Sequence, residues 1–300
     1  MSAWVFISIA AAAFQTLRFM LQKHLSTGEL STGGATFARF AYSAPFITLL
    51  TAAYWQVTPD TPGALSGVFW AYALVGGLAQ ILATWCVVAI FASRNFAVGI
   101  TFKKTEVVLT ALVGFVVLGD SISLSGLIAI LIGLIGVLIL SEMPGGAGGW
   151  ARRLINRAAG LGLLSGVFFA VSAVAYRGAT LEISSTDPLM RASLSLMAVT
   201  LSQAIGMALW LGWREKGELS RVWAARRTAV WTGITGLAGS LCWFTAFTLQ
   251  NAAYVFAVGQ VEVIFSIAAS VLFFREKITG REVTGIALLS LSIVALVLLH

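Results

Sequence analysis

The sequence predicts an all-α membrane protein whose ten transmembrane helices form two inverted five-helix repeats around a central cavity. Three observations carry that expectation. Residues of the set AVILMFWYC fill 59% of 300 positions and DEKR only 10%, whereas a soluble domain carries about 25% charged residues. Ten continuous apolar runs each come close to the roughly 20 residues a helix needs to cross hydrocarbon. Finally, sliding the chain by 156 residues lays 77–140 on 233–296 without a gap and with ten identities in 64 positions.

The runs cover residues 3–22, 36–55, 68–92, 96–118 and 122–140. A Gly-rich break at 144–149 follows, and then come 160–176, 189–213, 228–249, 252–274 and 283–299. The first run has no positive segment before it and ends in Gln22, Lys23 and His24 rather than in a small-residue cleavage site, so it reads as a retained span. A β-barrel would alternate over short segments of about ten residues, and these runs are uninterrupted. Trp4, Trp55, Trp70, Trp150, Trp213 and Trp231 lie near span ends, the depth that indole rings favour. Residues 1–143 are read as the first repeat, 144–157 as a Gly-rich and basic linker, and 158–300 as the second repeat. An odd number of spans per half makes the second half enter the membrane in the opposite sense. Polar matches strengthen the register: Cys86 falls on Cys242, Asn95 on Asn251, Glu106 on Glu262 and Asp120 on Glu276, and Arg39 answers Arg191 after a small drift.

The net charge of +7 sits in short loops, where anionic lipid headgroups, not nucleic acid, are the expected partner. Two cysteines provide neither a disulfide framework nor zinc spacing. His24 and His300 lie outside any nucleophile arrangement, and no Walker A, HExxH or GxSxG sequence occurs. No catalytic residue, metal site or cofactor is therefore assigned.

Lys103, Lys104 and Glu106 interrupt the fourth span near its middle. Three central charges cost about 9 kcal/mol, against about 5 recovered from the apolar remainder, so this helix must turn them toward protein or water. Gly99, Lys103, Glu106, Thr110 and Gly114 share one helical face, and their repeat partners are Val255, Gly259, Glu262, Ser266 and Ser270. Lys104 points elsewhere and is expected to make an interhelical or headgroup contact. Glu262, aligned with no lysine, should be the easier glutamate to protonate, with Glu106 held by Lys103. In the third and eighth spans Gln80, Thr84 and Trp85 stand against Gly236, Ser240 and Trp243. The glycine and serine suit close helix packing, and the two tryptophans suit cavity walls. Gln15, Arg18, Tyr42 and Tyr254 are further cavity candidates, Arg39 and Arg191 read as snorkelling arginines, and Cys86 and Cys242 as packed thiols.

The segments "LGDSISLSGLIAILIGLIGVLIL" and "FFREKITGREVTGIALLSLSIVAL", with "ARFAYSAPF" in the second span, resemble the EamA type of the drug/metabolite transporter superfamily. The resemblance implies ten helices in two inverted halves around a cavity, moving small organic solutes, with amino acids and their relatives prominent. Many members carry a proline midway along the fourth and ninth spans, where this chain has Thr105 and Val261. The expected function is secondary transport by alternating access, with amino-acid export, aromatic ones included, across a bacterial-type plasma (inner) membrane. Partners are a small-molecule substrate, the bilayer and a coupling proton; the alternatives are a passive channel and a membrane-embedded enzyme. The substrate is expected between the Lys103, Glu106, Thr110 face and the Glu262, Ser266 face, its carboxylate on Lys103 and its ammonium on a glutamate. Basic residues crowd the loops after odd-numbered spans, from Lys23 and Arg94 to Arg226, Arg227 and Arg275. The positive-inside rule puts those loops in the cytoplasm and both termini outside, the reverse of the usual description of the family.

Overall fold

Large apolar side chains cover much of the outer surface and a set of charged ones lies inside, unlike a soluble domain. In the computed structural model, which describes residues 2–28, 30–59, 62–91, 102–140, 157–265, 268 and 280–299, Leu49, Phe115, Leu209 and Leu298 are more than 60% exposed. Arg18, Arg39, Lys103, Lys104 and Glu106 are at most 4% exposed. Such a distribution is stable where hydrocarbon surrounds the chain and the polar groups pair inside it.

The described residues form eleven helices: α1 Ala3–Gly28, α2 Thr32–Val57, α3 Gly67–Phe91, α4 Glu106–Leu118, α5 Leu124–Leu140, α6 Arg157–Leu181, α7 Pro188–Arg214, α8 Glu218–Ala224, α9 Arg226–Leu249, α10 Ala252–Gly259 and α11 Gly280–Leu299. Five of them, α1, α3, α6, α7 and α9, are long and apolar enough to cross a membrane. The 26 residues of α2 are long enough, but Arg39 and a run of glycine and hydroxyl residues dilute their hydropathy. The other apolar helices are shorter. Local chemistry sets the ends. The Ser31 hydroxyl accepts from the Gly34 amide at the start of α2, and the Asp187 carboxylate accepts from the Leu189 amide at the start of α7, ahead of Pro188. Gly119, at φ +68°, terminates α4 in the left-handed conformation. The short α8 was not anticipated by hydropathy. Its Glu218 carboxylate caps the Ser31 amide at 2.6 Å and so folds α8 under the start of α2.

Helices from before the linker pair with helices from after it. α3 packs on α6, α1 on α9, α5 on α11 and α2 on α7. The α5–α11 crossing is tight because Gly136 and Gly285 let backbone meet backbone: a Cβ on Gly136 would lie 2.9 Å from the Gly285 carbonyl oxygen.

The helical course is interrupted at two places. The chain is helical at 102–103, turns at 104–105 and resumes as α4 at Glu106; after α10 it turns at 260–261 and resumes at 262–265. The two breaks lie 156 residues apart, at Thr105 and Val261, with no proline in either. Each is a tightened turn: the Thr105 amide donates to the Phe102 carbonyl (3.2 Å) and the Val261 amide to the Val258 carbonyl (3.1 Å). Such i→i−3 closure in a helix is a 3₁₀ turn. Trp55, Trp70, Trp213 and Trp231 are exposed at helix ends, but Trp4 is buried in the core and leaves the expected belt. Trp150, the linker at 144–156, Asn95, Gly99, Ser266, Ser270 and Glu276 lie outside the described residues.

Candidate substrate cavity and buried ion cluster

The matched breaks bring two half-helix starts together, and with them four charges. Lys103 Nζ donates to Glu106 Oε1 at 2.8 Å and stands 3.8 Å from Glu262 Oε1. Lys104 reaches across to Glu262. Two lysines and two glutamates thus neutralise one another inside the protein. Both glutamates open a helical segment, where backbone amides favour a carboxylate by roughly 0.3–1 kcal/mol. Ion pairing outweighs that contribution, since an unpaired buried charge costs about 3–5 kcal/mol. Phe19 and Phe169 offer their ring faces to Lys103, at 5.8 and 5.1 Å from the ring centres.

Two expectations are corrected here. Glu262 is not the glutamate without a lysine, because Lys104 of the first half supplies one. Lys104 does make an interhelical contact, but it joins the same cluster as Lys103. Adjacent side chains lie about 100° apart on a helix, and Lys104 joins the cluster by pairing with Glu262 of the other segment while Lys103 pairs with Glu106. Thr110, one turn on, is buried and spends its hydroxyl on the Glu106 carbonyl at 2.6 Å.

A hydrogen-bond relay leads from the cluster to a cavity between the halves. Gln15 Nε2 donates to Glu262 Oε2 at 2.8 Å, and Gln15 Oε1 accepts from Trp243 Nε1 at 3.2 Å. Gln15, Arg18, Arg39, Gln80, Ser172, Tyr176 and Ser240 supply the polar lining of that cavity, and Phe169, Trp243, Phe244, Phe247 and Phe256 the aromatic one. Its volume is about 20 Å³, room for about one water, so a metabolite must widen it. The Gln80 amide oxygen accepts from the Tyr176 hydroxyl and from Gln203 Nε2, both at 3.0 Å.

Arg39 is the residue that span boundaries concealed. The helix begins at Thr32, four residues before the predicted run, which moves Arg39 from a span end into the third turn. It does not snorkel: Nη1 donates to the Thr84 hydroxyl at 3.3 Å and Nη2 to the Ser240 hydroxyl at 2.9 Å. Thr84 and Ser240 are themselves 156 residues apart, so one guanidinium holds a matched pair of hydroxyls. Gly236 leaves room for this arrangement. A Cβ there would lie 3.0 Å from Arg39 Cγ and 3.3 Å from Arg18 Cδ. Arg191 differs: its Nε donates to the Thr180 carbonyl at 2.7 Å beside the start of α7.

The remaining candidates lie apart. Trp85 stacks edge-on against Trp210, ring centres 5.0 Å apart, in an apolar groove between α3 and α7. In the 156-residue register Trp85 matches Leu241 and Trp243 matches Val87. That is two positions, about 200° around a helix, so the two rings never shared a face. The Tyr42 hydroxyl donates to the Val222 carbonyl at 3.1 Å beside α8, and the Tyr254 hydroxyl accepts from the Ser123 amide at 3.2 Å at the start of α5. Lys103, Glu106 and Thr110 do not line the cavity, so the expected carboxylate contact with Lys103 is replaced by Lys103 bonding its own glutamate. Phe169, Tyr176, Phe244, Phe247 and Phe256 escaped sequence reading because aromatic residues in apolar helices carry no signal that separates a cavity wall from core.

Residues 156–298 match the EamA-like transporter family. No curated protein matches the chain. A protein of known crystal structure aligns over 97% of this chain and 99% of its own, with a TM-score of 0.69 and 17% identity; it shares the fold.

Proposed function

Residues 156–298 belong to the EamA-like transporter family, and from that premise we propose that this multi-pass membrane protein is a secondary transporter of small organic metabolites. The two halves are inverted repeats, 1–143 and 158–300 joined by the linker at 144–157, and rock about the central cavity in alternating access. Amino-acid export, aromatic amino acids included, across a bacterial-type inner membrane is the specific form of this reading. The observation that carries it is the convergence of matched residues on shared partners: Glu106 and Glu262 on Lys103, and Thr84 and Ser240 on Arg39. Such a centre can repack symmetrically when one half moves against the other. Gln15, Arg18, Gln80 and Trp243 form the substrate site in this reading, and the Lys103, Lys104, Glu106, Glu262 cluster couples it to protons.

Proteoliposomes loaded with labelled phenylalanine test the proposal. Flux should saturate with substrate and respond to a pH gradient, and both Glu106→Gln and Glu262→Gln should remove the pH response while sparing exchange of substrate for substrate. Flux that rises linearly with concentration would favour a channel, and chemically altered substrate an enzyme. Orientation gives a separate expectation. With the basic loops inside, a reporter fused after His300 should be active only if it folds outside the cytoplasm, and a cytoplasmic signal would reverse the assignment.

A further inference from the structure

We propose that the cavity recognises its substrate by a carboxylate, held between Arg18 and Arg39, and requires no ammonium group, so that aromatic carboxylates as a class are ligands and amino acids one case among them. This rests on the cavity's being the substrate site and names what that site selects.

Interior cations outnumber interior anions among the described residues. Among the described residues, Lys103 and Lys104 are balanced by Glu106 and Glu262, and Arg177 by Asp120 at 2.9 Å. Arg18 and Arg39 are left: 2% and 4% exposed, on cavity-lining turns of α1 and α2, and in no ion pair among the described residues. Their bonds go to neutral groups. Arg18 Nη1 donates to the Gln22 amide oxygen at 2.5 Å, and Arg39 donates to two hydroxyls. A guanidinium has five N–H donors, so both keep unspent donors. The two side chains also converge, since both flank the same glycine, Gly236. Arg18 lies about 4 Å and Arg39 about 8 Å from the middle of its own helix, and both are turned into the protein. Two like charges held together in low dielectric are destabilised by several kcal/mol, and an anion entering the cavity relieves both.

The ligand's other end follows from the opposite wall. Phe169, Phe244, Phe247 and Phe256, with Trp243 and Tyr176, suit a ring or an apolar body and leave a free inorganic anion unsolvated. An ammonium finds no free carboxylate there. The nearest carboxylates are engaged by lysines, Glu262 also by Gln15, and two guanidiniums repel the incoming cation.

Three probes of nearly equal shape separate the possibilities on the purified full-length protein: 3-phenylpropionate, 3-phenylpropionamide and phenethylamine, with binding read from quenching of tryptophan fluorescence. Expected is 3-phenylpropionate binding at least as tightly as phenylalanine and at least tenfold more tightly than the amide or the amine. Arg18→Gln and Arg39→Gln should each weaken it tenfold or more. Equal binding of phenethylamine, equal binding of the neutral amide, or no binding of either carboxylate overturns the proposal. The wild-type comparison stands even if a variant does not fold. Carboxylate-selective binding without saturable flux would sink the transport reading and leave this one; saturable flux without carboxylate preference would do the opposite.

Discussion

Lys104→Met is expected to destabilise the protein by about 3 kcal/mol, the lower end of what removing one partner of a buried pair costs. Glu262 would keep Lys103 at 3.8 Å and the Gln15 amide at 2.8 Å, which softens the loss without replacing the direct partner. The penalty arises from stranded charge rather than from lost packing, because methionine fills most of the lysine stem's volume. The double variant Lys104→Met, Glu262→Gln should therefore recover most of the loss, and a double-mutant cycle measured by unfolding in mixed micelles would show strong coupling. Additive effects, or a single variant within about 0.5 kcal/mol of the parent, would mean that the cluster does not hold the two halves together.

Gly136→Leu should cost about 3 kcal/mol or more, by a different mechanism. A Cβ at this position meets not a movable side chain but the Gly285 carbonyl oxygen and the Leu289 amide nitrogen, each at 2.9 Å. Backbone of a packed helix cannot step aside, so α5 and α11 must separate, and overpacking of that kind costs about 1–3 kcal/mol even where neighbours can adjust. The pair lies away from the cavity, with Val137, Leu140 and Leu289 as its local core. Molecules that do fold should bind substrate with unchanged affinity. A stable protein with altered affinity would place α5 and α11 in the substrate path instead.

Much of the candidate site was legible in local sequence. The Lys103–Glu106 pair is an i,i+3 contact, written into the spacing once a helical turn is assumed. The matching of Glu106 with Glu262, and of Thr84 with Ser240, needs only the 156-residue register. The charge density of the fourth span required an interior destination before any neighbour was known, because three charges outweigh the apolar residues around them.

What the sequence determined by itself was therefore chemistry and periodicity: an apolar, helical chain with polar residues matching at a spacing of 156 and a set of polar groups that lipid would not tolerate. Only the tertiary structure decided which of those groups meet. Lys104 and Glu262 are 158 positions apart, and they meet only because the two interrupted helical segments pack against each other. Arg39 became a cavity residue because α2 starts a turn before hydropathy suggests, and Trp85 left the cavity because two residues turn a side chain to the other face. Hydrophobic transfer is a sum over a segment and can be read along the chain. Pairing of buried charges is a matter of a few ångströms between segments, and that distance exists only once the helices have packed.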